Sequence, residues 1–167
     1  RVDGPVPLVE GVDGLVTDRP HIGLFAAYAD CFPLIAHDPR RMVVGLAHAG
    51  WRGSAAGIAG SLVAALQREY GTDPAELWVG IGPGICANCY EVGPEFKSHF
   101  ASEFLRPGTG DRLLVDLAGV NRSQLEQAGV DPARIAGADL CTRESSDLFS
   151  HRRQPDGTRF AGLAALA

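Results

Sequence analysis

Short apolar runs separated by glycine, proline and charged turns dominate the chain. Residues 1–11 are Pro/Gly-rich and read as an irregular lead-in or an edge strand. Residues 12–17 and 22–29 read as strands, the second a buried run (IGLFAAYA) that delivers Asp30 and Cys31. Residues 34–37 and 42–48 continue the sheet on either side of the charged turn His37-Asp38-Pro39-Arg40-Arg41. Cys31 and His48, seventeen residues apart, therefore sit at the two open ends of an antiparallel pair and meet on one rim.

Over 54–70 the pattern changes to helical spacing. Ile58, Leu62, Ala65 and Leu66 form one apolar stripe, with Ser54 as the expected N-cap and Gly71 just past the end. Residues 77–81 read as a strand running into the turn Gly82-Pro83-Gly84. Phe96, Phe100 and Phe104 recur every fourth position, which predicts a helix over 94–104 with Pro94 in its first turn. A strand at 113–115, a helix over 117–128 capped by Asp116 and stopped by Gly129, and a strand at 135–140 follow. Residues 145–149 suit one helical turn, and 160–166 a strand closing the sheet. Strands and helices interleave without a strict βαβ period. The expected class is α+β, with mixed β-sheets and flanking helices in a single domain over 1–167.

Composition narrows the function classes. The chain of 167 residues is 46% hydrophobic, carries 21 glycines and 11 prolines, and has a formal charge of −5. A net-negative surface whose basic residues are scattered, apart from Arg152-Arg153, argues against nucleic acid or an anionic membrane as the main partner. No apolar run has bilayer-spanning length and no signal-peptide pattern opens the chain, so a cytoplasmic, monomeric protein is expected. The chain begins at Arg1 and its one methionine is Met42, which suits a fragment or a processed form. Four well-separated cysteines (Cys31, Cys86, Cys89, Cys141) are expected as reduced thiols.

The chemistry concentrates after the hairpin. Ala49-Gly50-Trp51-Arg52-Gly53 places two glycines around an arginine at the entry to a helix, where backbone N–H groups of Gly50 and Gly53 and the guanidinium of Arg52 suit a phosphate. Against this stands a bland reading: Cys31 a small buried hydrophobe, His48 a satisfied core histidine, Trp51-Arg52 a cap. Cys86-x-x-Cys89 has neither a second CxxC nor a following long helix, so packing or site-lining is preferred there over metal or redox work. Cys141-Thr142 and Ser145-Ser146-Asp147 are either a polar strand end near the site or structural caps, and Asp116, Asn121 and Arg122 are similarly two-valued. His21, His37, His99 and His151 read as solvent-facing or capping histidines, although His151-Arg152-Arg153 with Arg159 suit further anion contacts.

The segments ADCFPL, AHAGWRG, GIGPGICANCYEVG and CT-x4-DLFSHRR together resemble the YfiH family, also called the laccase-domain or polyphenol oxidase family, described as purine nucleoside phosphorylases. The resemblance covers nearly the whole chain. It implies a four-layer α/β/β/α sandwich and a zinc held by two histidines and a cysteine, with Cys31 and His48 as two of those ligands. The third, a histidine of a Gln-x-His-Gly segment, is not in this sequence, so an N-terminally incomplete domain is expected. The implied activity is phosphorolysis of adenosine, inosine and methylthioadenosine, with linked adenosine deamination. Arg52 is then the phosphate holder and Asp30 an orienter or proton carrier. The rivals are a Cys31–His48 thiol hydrolase acting on amide bonds such as those of peptidoglycan precursors, a copper-linked polyphenol oxidase, and a non-catalytic binding module. The oxidase is disfavoured because five histidines without a His-x-His pair cannot supply a type 1 and a trinuclear copper site.

Overall fold

The computed structural model describes residues 1–6 and 9–167; the expected lead-in over 1–11 therefore falls partly outside the described residues. Among the described residues, ten strands form three sheets and three α-helices accompany them. The central sheet has five strands, in the order β1 (Gly14–Thr17), β4 (Val43–Ala49), β3 (Phe32–Asp38), β5 (Trp78–Ile81) and β9 (Ile135–Gly137). It is mixed: the β1–β4, β4–β3 and β3–β5 pairs are antiparallel, and β9 runs parallel to β5. The expected α+β class with mixed sheets stands.

Alternation along β4 sets the layers. Val43, Ala47 and Ala49 turn to the larger core beneath α2 (Ile58–Tyr70) and α3 (Leu117–Gln127), while Val44 and Leu46 turn to a smaller core with Leu24, Ala164 and Leu166. Gly45 admits α2, because a Cβ there would stand 2.8 Å from Leu62 Cδ1. The opposite face is covered by β2 (Leu24–Tyr28) paired antiparallel with β10 (Phe160–Ala164). The closing strand thus pairs with β2 in a sheet of its own rather than extending the central one. Helices, central sheet and β2–β10 stack as successive layers, and the outer side of that pair leaves Phe25 61% and Leu163 63% exposed. No helix among the described residues is long and apolar enough to cross a membrane.

Three expected helices differ, each for a local reason. The helix over 54–70 is two: α1 (Trp51–Ala55), with Gly50 at its N-cap, and α2, separated by Gly57 at φ +83°. Ser54 is therefore not a cap. It is buried inside α1, and its hydroxyl pairs with Asn121 of α3, whose Nδ2 donates to it at 2.9 Å. Residues 94–104 form two single 3₁₀ turns, Pro94–Ser98 and Ser102–Phe104. Ser98 Oγ donates back to the Glu95 carbonyl at 2.8 Å, a local bond that competes with helix propagation. The i, i+4 phenylalanines instead stack through space, Phe96 on Trp51 at 4.8 Å and on Phe100 at 6.0 Å. Residues 145–149 are turns gathered by one side chain, as Arg153 donates to the carbonyls of Thr142, Arg143, Ser145 and Leu148.

The small sheet of β6 (Glu91–Val92), β8 (Leu113–Val115) and β7 (Leu105–Pro107) was not legible, since β6 and β7 are two and three residues long. Asp116 does cap α3, accepting from Gly119 N–H at 2.9 Å. Arg122 donates to the Ile135 carbonyl at 2.8 Å, so Asp116, Asn121 and Arg122 are all tied into structure.

Candidate active-site cavity

The hairpin register pairs Phe32 with Ala49 and Pro33 with His48, bringing the Asp30-Cys31 end of β3 beside the His48 end of β4. A cavity of about 490 Å³ opens there, and its lining includes Asp30, Cys31, His48, Arg52, Tyr90 and Arg152. A larger cavity of about 570 Å³ lies on the other side of His48 and is mostly apolar, with His48 and Asp13 among its polar edges. Asp30, Cys31 and Arg52 line the smaller one and not the larger.

Gly50 joins the two expected ligands. Its φ of −79° suits any residue, so its role is space: a Cβ would stand 2.9 Å from Cys31 Sγ and 3.4 Å from His48 Cε1. Sulfur and imidazole thus converge over one bare Cα. Burial pushes the Cys31 thiol up to about 11, with Asp30 adding to the rise and Arg159 opposing it. Burial also lowers the His48 pKa against the pull of Asp13, keeping the ring neutral, which is its metal-ligating form. His48 Nδ1 faces Asp13 Oδ1 at 4.0 Å, and Tyr28 lies against the ring at 5.3 Å. Gly50→Ala is expected to fold normally but to lose at least tenfold in metal affinity and in turnover, because the methyl wedges between the two ligands. Isothermal titration with zinc in a Cys86→Ser, Cys89→Ser background, where the other cysteine cluster does not compete for the ion, checks this, and unchanged affinity would remove Gly50 and its neighbours from a shared centre.

Asp30 adopts φ +80°, and its main chain and side chain tie three segments together. Oδ1 accepts from Thr142 Oγ1 at 2.7 Å, Oδ2 accepts from Arg152 N–H at 2.7 Å, and its carbonyl accepts from Ile85 N–H at 2.9 Å. Both carboxylate oxygens are already engaged, which suits an orienter better than a proton carrier. Arg52 is exposed, stacks on Trp51 at 4.4 Å, and reaches the cavity. Gly53 lies within α1 and packs against the His48 carbonyl and Ile58 rather than lining the cavity. The motif from Gly50 to Gly53 therefore divides its work: one glycine makes room for ligands, the other for helix packing.

The sequence underweighted the far wall. Arg152 donates to the Glu91 carbonyl at 2.7 Å and lies 5.2 Å over the Tyr90 ring, beside His151 and Arg159. Three arginines thus ring the cavity, while its one lining carboxylate, Asp30, is spent on internal bonds. The sequence signal was the basic triplet His151-Arg152-Arg153 together with Arg159.

Cys86-x-x-Cys89 is less isolated in the fold than in the sequence. Its missing partners come from Cys141 and Glu144, and the four ligand atoms lie within 4.8 Å of one another, a set that could hold a metal ion. The pairing was invisible because Glu144 stands where a second CxxC would place cysteine.

The family model described as multi-copper polyphenol oxidoreductase laccase matches residues 1–167. The chain belongs to this family. Its relatives include a purine nucleoside phosphorylase of Streptomyces coelicolor, 39% identical over 98% of this chain, and an adenosine deaminase of an unknown prokaryotic organism, 35% identical over 97%. This laccase-family chain spans 66% and 65% of those proteins, respectively. The fold matches the crystal structure of YlmD from Geobacillus stearothermophilus at a TM-score of 0.88 and 36% identity, covering 93% of this chain and 61% of that one. Bacillus licheniformis YfiH matches equally well, with a TM-score of 0.88.

Proposed function

We propose that the Cys31–His48 cavity carries out zinc-dependent phosphorolysis of purine nucleosides. The observation that carries the reading is the set of Arg52, Arg152 and Arg159 lining one cavity with a half-buried thiol–imidazole pair. Arginine clamps suit a phosphate dianion bidentately, and a cavity of about 490 Å³ is the size of a small-ligand site. Relatives named purine nucleoside phosphorylase and adenosine deaminase point to the same substrates.

The residues fit a zinc ion: a thiol and a neutral imidazole converge over Gly50, whose missing Cβ leaves the space. Cys31 and His48 would hold the metal. When bound there, zinc supplies Lewis acidity, enough to acidify water for attack at purine C6. In phosphorolysis, Arg52 and Arg152 hold phosphate so that one oxygen attacks ribose C1′ as the bond to the purine nitrogen breaks; the base leaves with a proton and ribose 1-phosphate remains. Tyr90 and Trp51 offer aromatic faces on the wall that receives the base. Asp30 keeps the Arg152 backbone in register.

The test is turnover of adenosine, inosine and methylthioadenosine with and without phosphate, in protein treated with chelator or with alkylating agent. Phosphate-dependent base release that chelator abolishes is expected. Chelator-insensitive amide hydrolysis would restore the thiol hydrolase, and no nucleoside turnover would leave a binding module.

A further inference from the structure

None of Cys86, Cys89, Cys141 and Glu144 lines the nucleoside cavity. They are two chelating pairs, Cys-x-x-Cys and Cys-x-x-Glu, brought together by the backbone. A parallel bridge between Gly84 and Cys141 sets the register: Thr142 N–H donates to the Gly84 carbonyl at 3.0 Å, and Gly84 N–H to the Leu140 carbonyl at 3.3 Å. Each pair is then folded by its own turn, Cys89 N–H donating to the Cys86 carbonyl and Ser145 N–H to the Cys141 carbonyl, both at 2.9 Å.

We propose that Cys86, Cys89, Cys141 and Glu144 form a tetrahedral structural zinc site that clamps the turn after β5 to the loop carrying Thr142. Tetrahedral zinc, at about 2.3 Å from sulfur and 2.0–2.2 Å from oxygen, holds its ligand atoms roughly 3.5–3.8 Å apart. Glu144 Oε1 already stands 3.2 Å from Cys89 Sγ and 3.8 Å from Cys86 Sγ, and no pair in the set exceeds 4.8 Å. Closure by rotamer adjustment completes the shell. Three sulfurs select a thiophilic ion, and four protein ligands leave no open position, which marks a structural rather than a catalytic centre.

The surroundings are those of a thiolate site. Cys86 N–H donates to Cys141 Sγ at 3.3 Å. Cys89 Sγ donates to the Glu144 carboxylate at 3.2 Å, and a divalent cation takes the place of that proton. Packing alone accounts for three cysteines but gives no reason for an exposed glutamate aimed at two of them. The clamp lies one residue from Thr142, which donates to Asp30, and so fixes the segment that leads to Arg152. It stands whether or not the cavity turns over nucleosides.

The experiment is cobalt(II) titration of the reduced Cys31→Ser chain, which silences the cavity thiol. The expected result is one tightly held cobalt per chain, with tetrahedral d–d bands and a sulfur-to-cobalt charge-transfer band of three-thiolate strength, and a Tm that falls on chelation. Cys141→Ser in that background should weaken cobalt binding at least about 100-fold. Glu144→Cys, at an exposed position that leaves packing alone, should raise the charge-transfer intensity by about one third as a fourth thiolate joins. Absence of the charge-transfer band in the Cys31→Ser chain, undiminished binding in folded Cys141→Ser, or unchanged intensity in Glu144→Cys overturns the site.

Discussion

Replacing Arg52 by alanine is expected to slow phosphate-dependent nucleoside cleavage about 30- to 1000-fold while moving the melting temperature by only a few degrees. The split follows from what Arg52 touches. Its side chain is exposed, its recorded partner among the described residues is the Trp51 face at 4.4 Å, and a contact of that kind contributes about 0.5–1 kcal/mol at an exposed site. A charge-assisted contact to phosphate that strengthens in the transition state contributes about 2–4 kcal/mol. The loss should therefore appear in phosphate-dependent kcat/KM and leave phosphate-independent adenosine deamination largely intact. Arg52→Lys should recover part of it, since lysine keeps the charge but not the planar fork. Equal kinetics in wild type and Arg52→Ala would move phosphate recognition to Arg152 and Arg159, and a large fall in Tm would make the Trp51–Arg52 stack structural.

The convergence of candidate residues was legible where strand ends meet. Asp30-Cys31 and His48 close apolar runs on either side of a charged turn, and a hairpin brings its open ends together whatever the rest of the fold does. Its turn is stabilised as the sequence suggests: the buried Asp38 carboxylate accepts from the Arg40 and Arg41 backbone N–H groups at 2.9 and 3.1 Å. What the sequence hid lies in pairings between distant segments. Ser54 reads locally as a helix cap, yet its hydroxyl answers to Asn121, sixty-seven residues away. Cys86-x-x-Cys89 reads as an incomplete motif because its partners sit beyond α3, on a loop with no regular structure. The phenylalanines of 94–104 keep helical spacing but satisfy it by stacking, so periodicity there reports a buried face without a continuous helix. β6 and β7 escape because strands of two and three residues are too short for alternation to register.

Asp30→Ala is expected to destabilise the fold by about 3–5 kcal/mol, a fall in Tm of about 8–15 °C for a domain of this size. Two costs combine. The carboxylate accepts from Thr142 Oγ1 and from Arg152 N–H, both at 2.7 Å, and because the second bond is exposed to solvent the pair together contributes about 2–4 kcal/mol. The φ of +80° is one that aspartate tolerates better than alanine, which adds about 1 kcal/mol of strain. Asp30→Gly separates the two costs: it relieves the strain but still loses both bonds, so it should lie about 1 kcal/mol above the alanine variant. Asp30→Asn keeps an acceptor for Thr142 yet turns an N–H₂ group toward the Arg152 N–H, and should fall between wild type and glycine. Because these bonds hold the segment carrying His151 and Arg152 against the rim, phosphate KM should rise in step with the loss of stability across the three variants. A proton carrier would behave differently: Asp30→Asn would then abolish turnover with Tm and phosphate KM unchanged. Thermal melts and phosphate-dependent kinetics on the same three variants decide between a tether and a proton carrier.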